Sequence, residues 1–395
     1  MHRNLPLVLA ALFVTEAVFA APLVVQYPNR KEPIGVKAET NTAGDMYVWA
    51  LNEAGAIRYL FDNSSAILEE REIYDPGAGL LDARVNDVIT DDDCVLFAKP
   101  SANAWGCRIF ATGSGLSVYI QSHNQWQNFQ ANGTTSGIPQ GQITTMRHLY
   151  GTHDYTTDSG GTASVELNEI ILGTRRAGMA RCTHDKMTFN SQNIAISLEC
   201  EQSNTNNFMD FPDNSINDFE MDSYGRLWVA TGRQGVTTSG YGGIGVARYV
   251  SDTDDGFWDW DWSESFDSSR LPFRTTGQNE LPHDFVNALT MTDNGNMWAG
   301  FSGWDKTRYE SQNLAEHVAF VTVNFGLTGQ WRYNYHSTQI LTTPKCNVTD
   351  IHFSRVNSDN TTETLFFSTE CTGWSGFDTL VPTAPNPNYD VKYGK

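Results

Sequence analysis

Ile216-Asn217-Asp218-Phe219-Glu220-Met221-Asp222-Ser223-Tyr224-Gly225-Arg226-Leu227-Trp228-Val229-Ala230-Thr231-Gly232 alternates apolar and polar residues on either side of a glycine turn and ends in a Thr-Gly corner. A period of two is the pattern of half-buried β-strands, so the segment reads as two antiparallel strands joined by a short turn. Val286-Asn287-Ala288-Leu289-Thr290-Met291-Thr292-Asp293-Asn294-Gly295-Asn296-Met297-Trp298-Ala299-Gly300 repeats the phrase. Looser copies set Val85-Asn86-Asp87-Val88 before Ile109 to Gly113, Ile143-Thr144-Thr145-Met146 before Ile171 to Thr174, and Val348-Thr349-Asp350-Ile351 before Leu365 to Thr369. Met46 to Ala50 supplies a degenerate first copy.

Aligned on the corner residues Ala50, Thr112, Thr174, Thr231, Phe301 and Thr369, the copies are 57 to 70 residues apart. A minimal four-stranded blade needs about 40 to 45 residues, so the excess is expected in long loops. A fourth strand ending Trp-x-x-Phe or Trp-x-Tyr follows in some copies, at Trp126 to Phe129 and Trp331 to Tyr333. Four strands per unit, radially repeated, predict an all-β fold: a six-bladed β-propeller, with seven blades as the alternative. The last unit shows three strands, near Val348, Leu365 and Phe377, so an N-terminal strand at Leu23 to Tyr27 is expected to close that blade. Long helical periodicity is nearly absent, which weighs against an α/β enzyme.

Outward from the repeat, Met1 to Ala20 reads as a signal peptide cut after Ala20. Residues 21–381 form the propeller, and 382–395, with Pro382, Pro385 and Pro387, read as a mobile tail. No stretch reaches the roughly 18 apolar residues that a spanning helix requires, so a secreted chain, extracellular or periplasmic and monomeric, is expected. With 26 Lys+Arg against 46 Asp+Glu the formal net charge is −20, and a field of that sign repels nucleic-acid phosphate. Six cysteines bound for an oxidising compartment suggest three disulfides between sequence neighbours. Cys94 with Cys107 and Cys346 with Cys371 fit across hairpin ends; Cys182 with Cys200 fits less naturally. No Cys/His cluster has zinc spacing.

The phrase Asn-x-Leu-Pro-x-x-x-Val-Asn-Ala at Asn279 to Ala288, followed by Asp293-Asn294-Gly295-Asn296-Met297-Trp298-Ala299-Gly300, closely resembles the two-component-regulator propeller repeat. Residues 214 to 249 look like a second copy. The resemblance implies an exported or periplasmic sensor propeller, often tied to carbohydrate perception and usually fused to a signalling membrane protein. This chain departs from that pattern, with no transmembrane helix and no kinase after the propeller, so a free-standing binding protein is the reading that remains. The matching positions are blade-building ones and carry over no binding residue.

Propellers place ligands where loops converge on one face of the channel, here the loops between second and third strands and the connections leading into first strands. These hold Arg175, Arg176, Arg233, Trp304, Asp305, Lys306, Arg308, Tyr309 and Trp374, with His283 and Asp284 leading into a first strand. Arginine forks match carboxylate or sulfate and indole faces stack on sugar rings, so the set suits a carbohydrate, and an acidic glycan in particular. The bland alternative is that the arginines pair with neighbouring acids and the indoles pack blade edges. A glycan lyase or hydrolase using His283, Asp284 or Asp305 on the same loops, and an extracellular protein-interaction scaffold, are the other two readings.

Trp258-Asp259-Trp260-Asp261-Trp262 alternates as a strand with one half-buried face would. No cofactor is expected; Asp252-Thr253-Asp254-Asp255-Gly256 gathers oxygen ligands for calcium but lacks the spacing and distal Glu of an EF-hand. Gly240 to Gly245 matches GxGxxG, yet a strand at Val246 to Val250 follows where a dinucleotide site needs a helix. His148 and His153 read as satisfied histidines on a loop.

Overall fold

The computed structural model describes residues 35–40, 46–62, 67–91, 106–133, 137–156, 161–190, 193–204, 213–233, 242–250, 257–260, 285–292, 295–301, 318–322, 332–333, 348–354, 362–369 and 373–380. Among them are six antiparallel sheets, each a meander whose strands lie in chain order. The first sheet holds β1 (Gly35–Thr40), β2 (Met46–Asn52), β3 (Gly55–Asp62) and β4 (Ile67–Tyr74). The second holds β5 (Val85–Asp91), β6 (Cys107–Thr112), β7 (Gly115–Ile120) and β8 (Gln125–Gln130). The third holds β9 (Ile143–Thr156), β10 (Thr162–Thr174), β11 (Met179–Asn190) and β12 (Asn193–Ser203). The fourth holds β13 (Ile216–Met221), β14 (Leu227–Gly232), β15 (Gly242–Val250) and β16 (Phe257–Trp260). The fifth holds β17 (Val286–Met291), β18 (Asn296–Phe301), β19 (Val318–Thr322) and β20 (Arg332–Tyr333), and the sixth β21 (Val348–Ser354), β22 (Thr362–Thr369) and β23 (Gly373–Leu380).

The first strands touch one another in the order β1, β5, β9, β13, β17, β21, and β21 returns to β1. A closed cycle of radially repeated meanders is a β-propeller, the architecture expected from the repeat. The corner residues that aligned the copies pair across to the starts of the first strands: Val36 with Ala50, Val85 with Thr112, Ile143 with Thr174, Ile216 with Thr231, Val286 with Phe301 and Val348 with Thr369. The recurring Thr has a local cause. Buried Thr112, Thr174 and Thr231 donate their hydroxyls to the carbonyls of Gly115, Gly178 and Gly243, at 2.7, 2.7 and 3.1 Å, closing the corner between second and third strands.

The cores lie between sheets. Trp49, Tyr74, Val88 and Phe110 pack the first sheet on the second, with Trp126 from β8 against them. Trp228, fully buried, joins Ile244 and Val246 to Val286, Leu289 and Met297 between the fourth and fifth. Trp298 is 1% exposed.

Inner strands are also stitched by polar side chains. In every sheet but the first, the register between first and second strands slips by one residue beside the corner: between Val85 and Asp87, Ile216 and Asp218, Val286 and Ala288, Val348 and Asp350, and opposite Thr144 in the third sheet. Such bulges re-aim side chains. Asn86 Nδ2 donates to the Ile143 carbonyl at 2.6 Å, Thr144 Oγ1 to that of Ile216, and Asn217 Nδ2 to that of Val286 at 2.7 Å. One residue on, Asp87 accepts the Met146 N–H and Asp218 the Leu289 N–H, both at 2.7 Å. The second and fourth sheets thus each hold the next through a pair of adjacent side chains. The β1–β2 register has no such slip; there Lys37 reaches Asp87 at 2.9 Å instead.

Four expectations need correction or completion. β1 precedes Met46 to Ala50, which is thus the second strand of its unit, in keeping with the alignment on the corner residue Ala50. In the third sheet the excess length is strand, 11 to 14 residues each, and not loop, because alternating Leu149, Tyr155, Val165 and Leu167 bury a second apolar face on the fourth sheet. His148 and His153 accordingly lie on β9 and not on a loop; His148 faces Asn168 Oδ1 at 3.2 Å and stacks on Tyr150. The Cys182–Cys200 disulfide, which fitted least naturally, is present: the two are direct cross-strand partners on β11 and β12, with Cα atoms 4.0 Å apart. Cys107 is also disulfide-bonded. Cys94, Cys346 and Cys371 lie outside the described residues, as do the signal peptide, Leu23 to Tyr27 and the tail. Gly242 to Val250 is strand, as the dismissal of GxGxxG required, and Trp258 to Trp260 falls in β16.

Candidate functional site

The corner face is built by one repeated contact. Backbone N–H groups of Gly113, Arg175 and Gly232, at the ends of β6, β10 and β14, donate to the carbonyls of Arg84, Gln142 and Ser215, which lead into β5, β9 and β13. The loops between second and third strands and the segments leading into first strands therefore share one face. Neighbouring sheets also meet there. Ser215 Oγ donates to the Arg175 carbonyl at 2.5 Å, the Gly178 N–H to the Asn214 carbonyl at 2.9 Å, and Gln142 Nε2 to Asn86 Oδ1 at 3.0 Å.

Arg175, Arg176 and Arg233 stand exposed on this face. Arg233 follows the bland reading: its Nε lies 3.2 Å from Oδ1 of buried Asp213, although its side chain stays 43% exposed. Arg175 does not. Its Nη1 donates to the neutral amide oxygen of Gln142 at 3.3 Å, and the Thr174 hydroxyl accepts the Ala177 N–H at 2.9 Å, fixing the turn that carries both arginines. Neither Arg175 nor Arg176 forms an ion pair among the described residues. In a chain of net charge −20 this turn presents two guanidinium groups without a carboxylate partner among the described residues.

Trp374 is the second residue of β23, opposite Ser368, which puts its backbone at the matching corner of the sixth sheet. His283, Asp284, Trp304, Asp305, Lys306, Arg308 and Tyr309 lie outside the described residues, as do Asp252 to Asp255 of the candidate calcium loop. No group of three or more His, Cys, Asp or Glu side chains suited to a metal occurs among the described residues. Sequence reasoning missed Arg84, Gln142 and Asp213. Arg84 reaches Asn86 Oδ1 at 2.9 Å and Glu53 at 3.5 Å. Their position, one to three residues before an inner strand, was the available signal.

The fourth sheet supplies the decisive comparison, because its first hairpin is stitched in a particular way. The carboxylate of buried Asp222 accepts the backbone N–H of Tyr224 and Arg226, Arg226 Nε at 2.6 Å and Trp228 Nε1 at 2.8 Å, tying turn, strand and core into one unit. Residues 210–233, which contain this hairpin, match the family profile described as Two component regulator propeller. The hairpin is similar to the two component regulator propeller repeat. The repeat covers the positions that build and clasp the sheet, with Asp213 and Arg233 near its ends. No curated protein matches the chain.

Among solved structures, the chain resembles the extracellular domain of a protein from B. thetaiotaomicron described as a hybrid two component system. The two share 11% identity and a TM-score of 0.36, over 86% of this chain and 39% of that one. It resembles the Dos1 propeller at 11% identity and a TM-score of 0.38, over 91% and 69% of the two chains. The PQQ domain of a pyranose dehydrogenase from Coprinopsis cinerea gives 10% identity and a TM-score of 0.40, over 86% and 91%. This chain thus spans well under half of the B. thetaiotaomicron chain, and likeness at these levels transfers no ligand or activity. No helix among the described residues is long and apolar enough to cross a membrane.

Proposed function

We propose that this propeller is an exported recognition protein that binds an acidic glycan on its corner face, without chemistry of its own. The observation that carries the reading is the Arg175–Arg176 turn, exposed and without a carboxylate partner among the described residues. A guanidinium fork donates two parallel hydrogen bonds to a carboxylate or sulfate, the anionic groups that acidic glycans repeat along their length. Arg233 lies on the corner of the next sheet and, still partly exposed, extends the cationic surface even while held by Asp213. Trp374, by its place at the sixth corner, is the residue proposed to stack on a sugar ring.

A glycan array of neutral and acidic polysaccharides, probed with the purified protein, tests the reading, with a product assay on each glycan that binds. Retention on acidic glycans alone, with no shortened products, is the expected result. Cleavage would replace this reading with the enzyme one, and silence on every acidic glycan would refute it.

A further inference from the structure

The third sheet divides. β9 and β10 pair along their whole length, from Ile143–Thr174 to Thr156–Thr162, and β11 and β12 likewise, from Met179–Ser203 to Asn190–Asn193. Between the two middle strands, however, pairing runs only from Gly173–Met179 to Ile170–Cys182. Past that point, on the face opposite the arginine corners, one sheet becomes two ribbons.

The division has a packing cause. Alternate residues of the β9–β10 ribbon, Leu149, Leu167, Tyr155 and Val165, bury against Phe219, Leu227 and Tyr249 of the fourth sheet. The β11–β12 ribbon turns its opposite face, Ile196 and Leu198, into the core shared with Ile109, Val118 and Ile120 of the second sheet. The Ile196 N–H also donates to Gln127 Oε1 at 2.8 Å. Two ribbons that bury opposite faces on different neighbours cannot stay paired. The Cys182–Cys200 disulfide sits where they part and binds the second ribbon at its root.

Separation leaves strand edges whose polarity the register gives. A Cα separation of 4.0 Å for Cys182 and Cys200 belongs to a non-hydrogen-bonded pair, so Cys182 turns its N–H and C=O towards β10. Ile170 opposite it turns its own towards β11, and the unbroken β9–β10 register carries the same direction to Glu166 and Ser164. Neither residue finds a backbone partner on that side among the described residues. Open edges of this kind accept an extended chain by strand addition. The flanks are acidic: Asp154, Glu166 and Glu199 are exposed, Asp154 accepts the hydroxyl of Ser164 and Glu166 that of Thr152, and Arg181 at the base is held by buried Glu169.

We infer that the fork of the third sheet is a peptide-binding site, in which an extended basic segment of a partner protein adds as a strand to the Ser164–Glu166 edge of β10. This site is separate from the glycan face and stands or falls independently of it. The occupant is a peptide because main-chain N–H and C=O groups select an extended backbone, and it is basic because of Asp154, Glu166 and Glu199.

The probe is a fluorescent eight-residue peptide of alternating lysine and threonine, measured by anisotropy beside the same peptide with every backbone nitrogen methylated. Strand addition predicts at least a tenfold weaker affinity for the methylated peptide, which keeps the charge and loses the donors. Glu166→Pro, which removes an edge N–H, should cost at least tenfold, and Glu166→Gln less than about threefold. Because the proline variant could misfold, hydrogen exchange on the unaltered protein provides a second readout. The Ser164 and Glu166 amides should exchange fast in the free protein and at least tenfold slower with saturating peptide. Equal binding of both peptides, no binding of either, or protection of these amides before peptide is added would each overturn the inference.

Discussion

Replacing Asp222 by alanine should destabilise the protein by about 3 to 5 kcal/mol. The carboxylate side chain is 0% exposed, and the guanidinium that it holds at 2.6 Å is 4% exposed, so both charges are withdrawn from water. Removing one partner of a buried ion pair costs about 3 to 5 kcal/mol, because the remaining charge loses both its solvent and its counter-charge. The Tyr224 and Arg226 amides and the Trp228 indole N–H lose an acceptor in the same step, but these losses share one carboxylate and do not simply add. Thermal unfolding followed by circular dichroism should show the midpoint falling by roughly 5 to 10 °C, at the low end of the per-kcal shifts of smaller domains. The double variant Asp222→Ala with Arg226→Met should recover much of the loss, since no charge is then buried. A single variant melting within 1 °C of the parent, or a double variant no better than the single, would refute the reasoning.

Further outcomes follow from the same geometry. Trp228→Ala should cost about 3 to 5 kcal/mol in urea unfolding, given its complete burial between the fourth and fifth sheets; an unchanged midpoint would mean that the ring is not packed there. Gly225 has φ +74°, and a Cβ there would strike the backbone of Asp154 and Tyr155, so Gly225→Ala should lift the β9–β10 ribbon from the fourth sheet. The expected cost is roughly 1 to 3 kcal/mol, with faster amide exchange at Leu149 to Tyr155 as its local mark. Burial, reinforced by a hydrogen bond to Glu72, raises the Tyr74 hydroxyl well above the ordinary value of 10.0, and burial also raises that of Tyr249. Above pH 10 the unfolded chain therefore releases protons that the native protein keeps, and stability should fall with rising pH. Absorbance at 295 nm should show Tyr74 and Tyr249 titrating late, and Tyr74→Phe should flatten the alkaline loss of stability.

The strand alternation and the corners were legible in the sequence because period-two alternation and a Thr whose hydroxyl closes a turn are local properties. Gly35 to Thr40 was missed for the same reason: its sheet lacks the inner-strand bulge and the Asn-Asp pair, so nothing in the segment repeats the phrase. Asn86-Asp87 and Asn217-Asp218 were visible as repeated letters, but their action is on the neighbouring sheet, 57 to 71 residues away in the chain, which no local pattern discloses. Blade-length arithmetic placed the extra residues of the third sheet in loops. Only the tertiary choice of two neighbours turns them into ribbons and makes Cys182 and Cys200 face each other. At the corner face, residue type singled out the arginines, yet could not separate Arg233, held by Asp213, from Arg175, held by an amide.

The most direct test of the recognition account is a calorimetric titration of polygalacturonate into the protein and its Arg175→Ala/Arg176→Ala variant, at low and at physiological ionic strength. The account predicts binding to the parent that weakens with salt, and a loss of at least about tenfold, roughly 1.4 kcal/mol, in a variant with unchanged melting temperature. Equal affinity of the two proteins for polygalacturonate would contradict it.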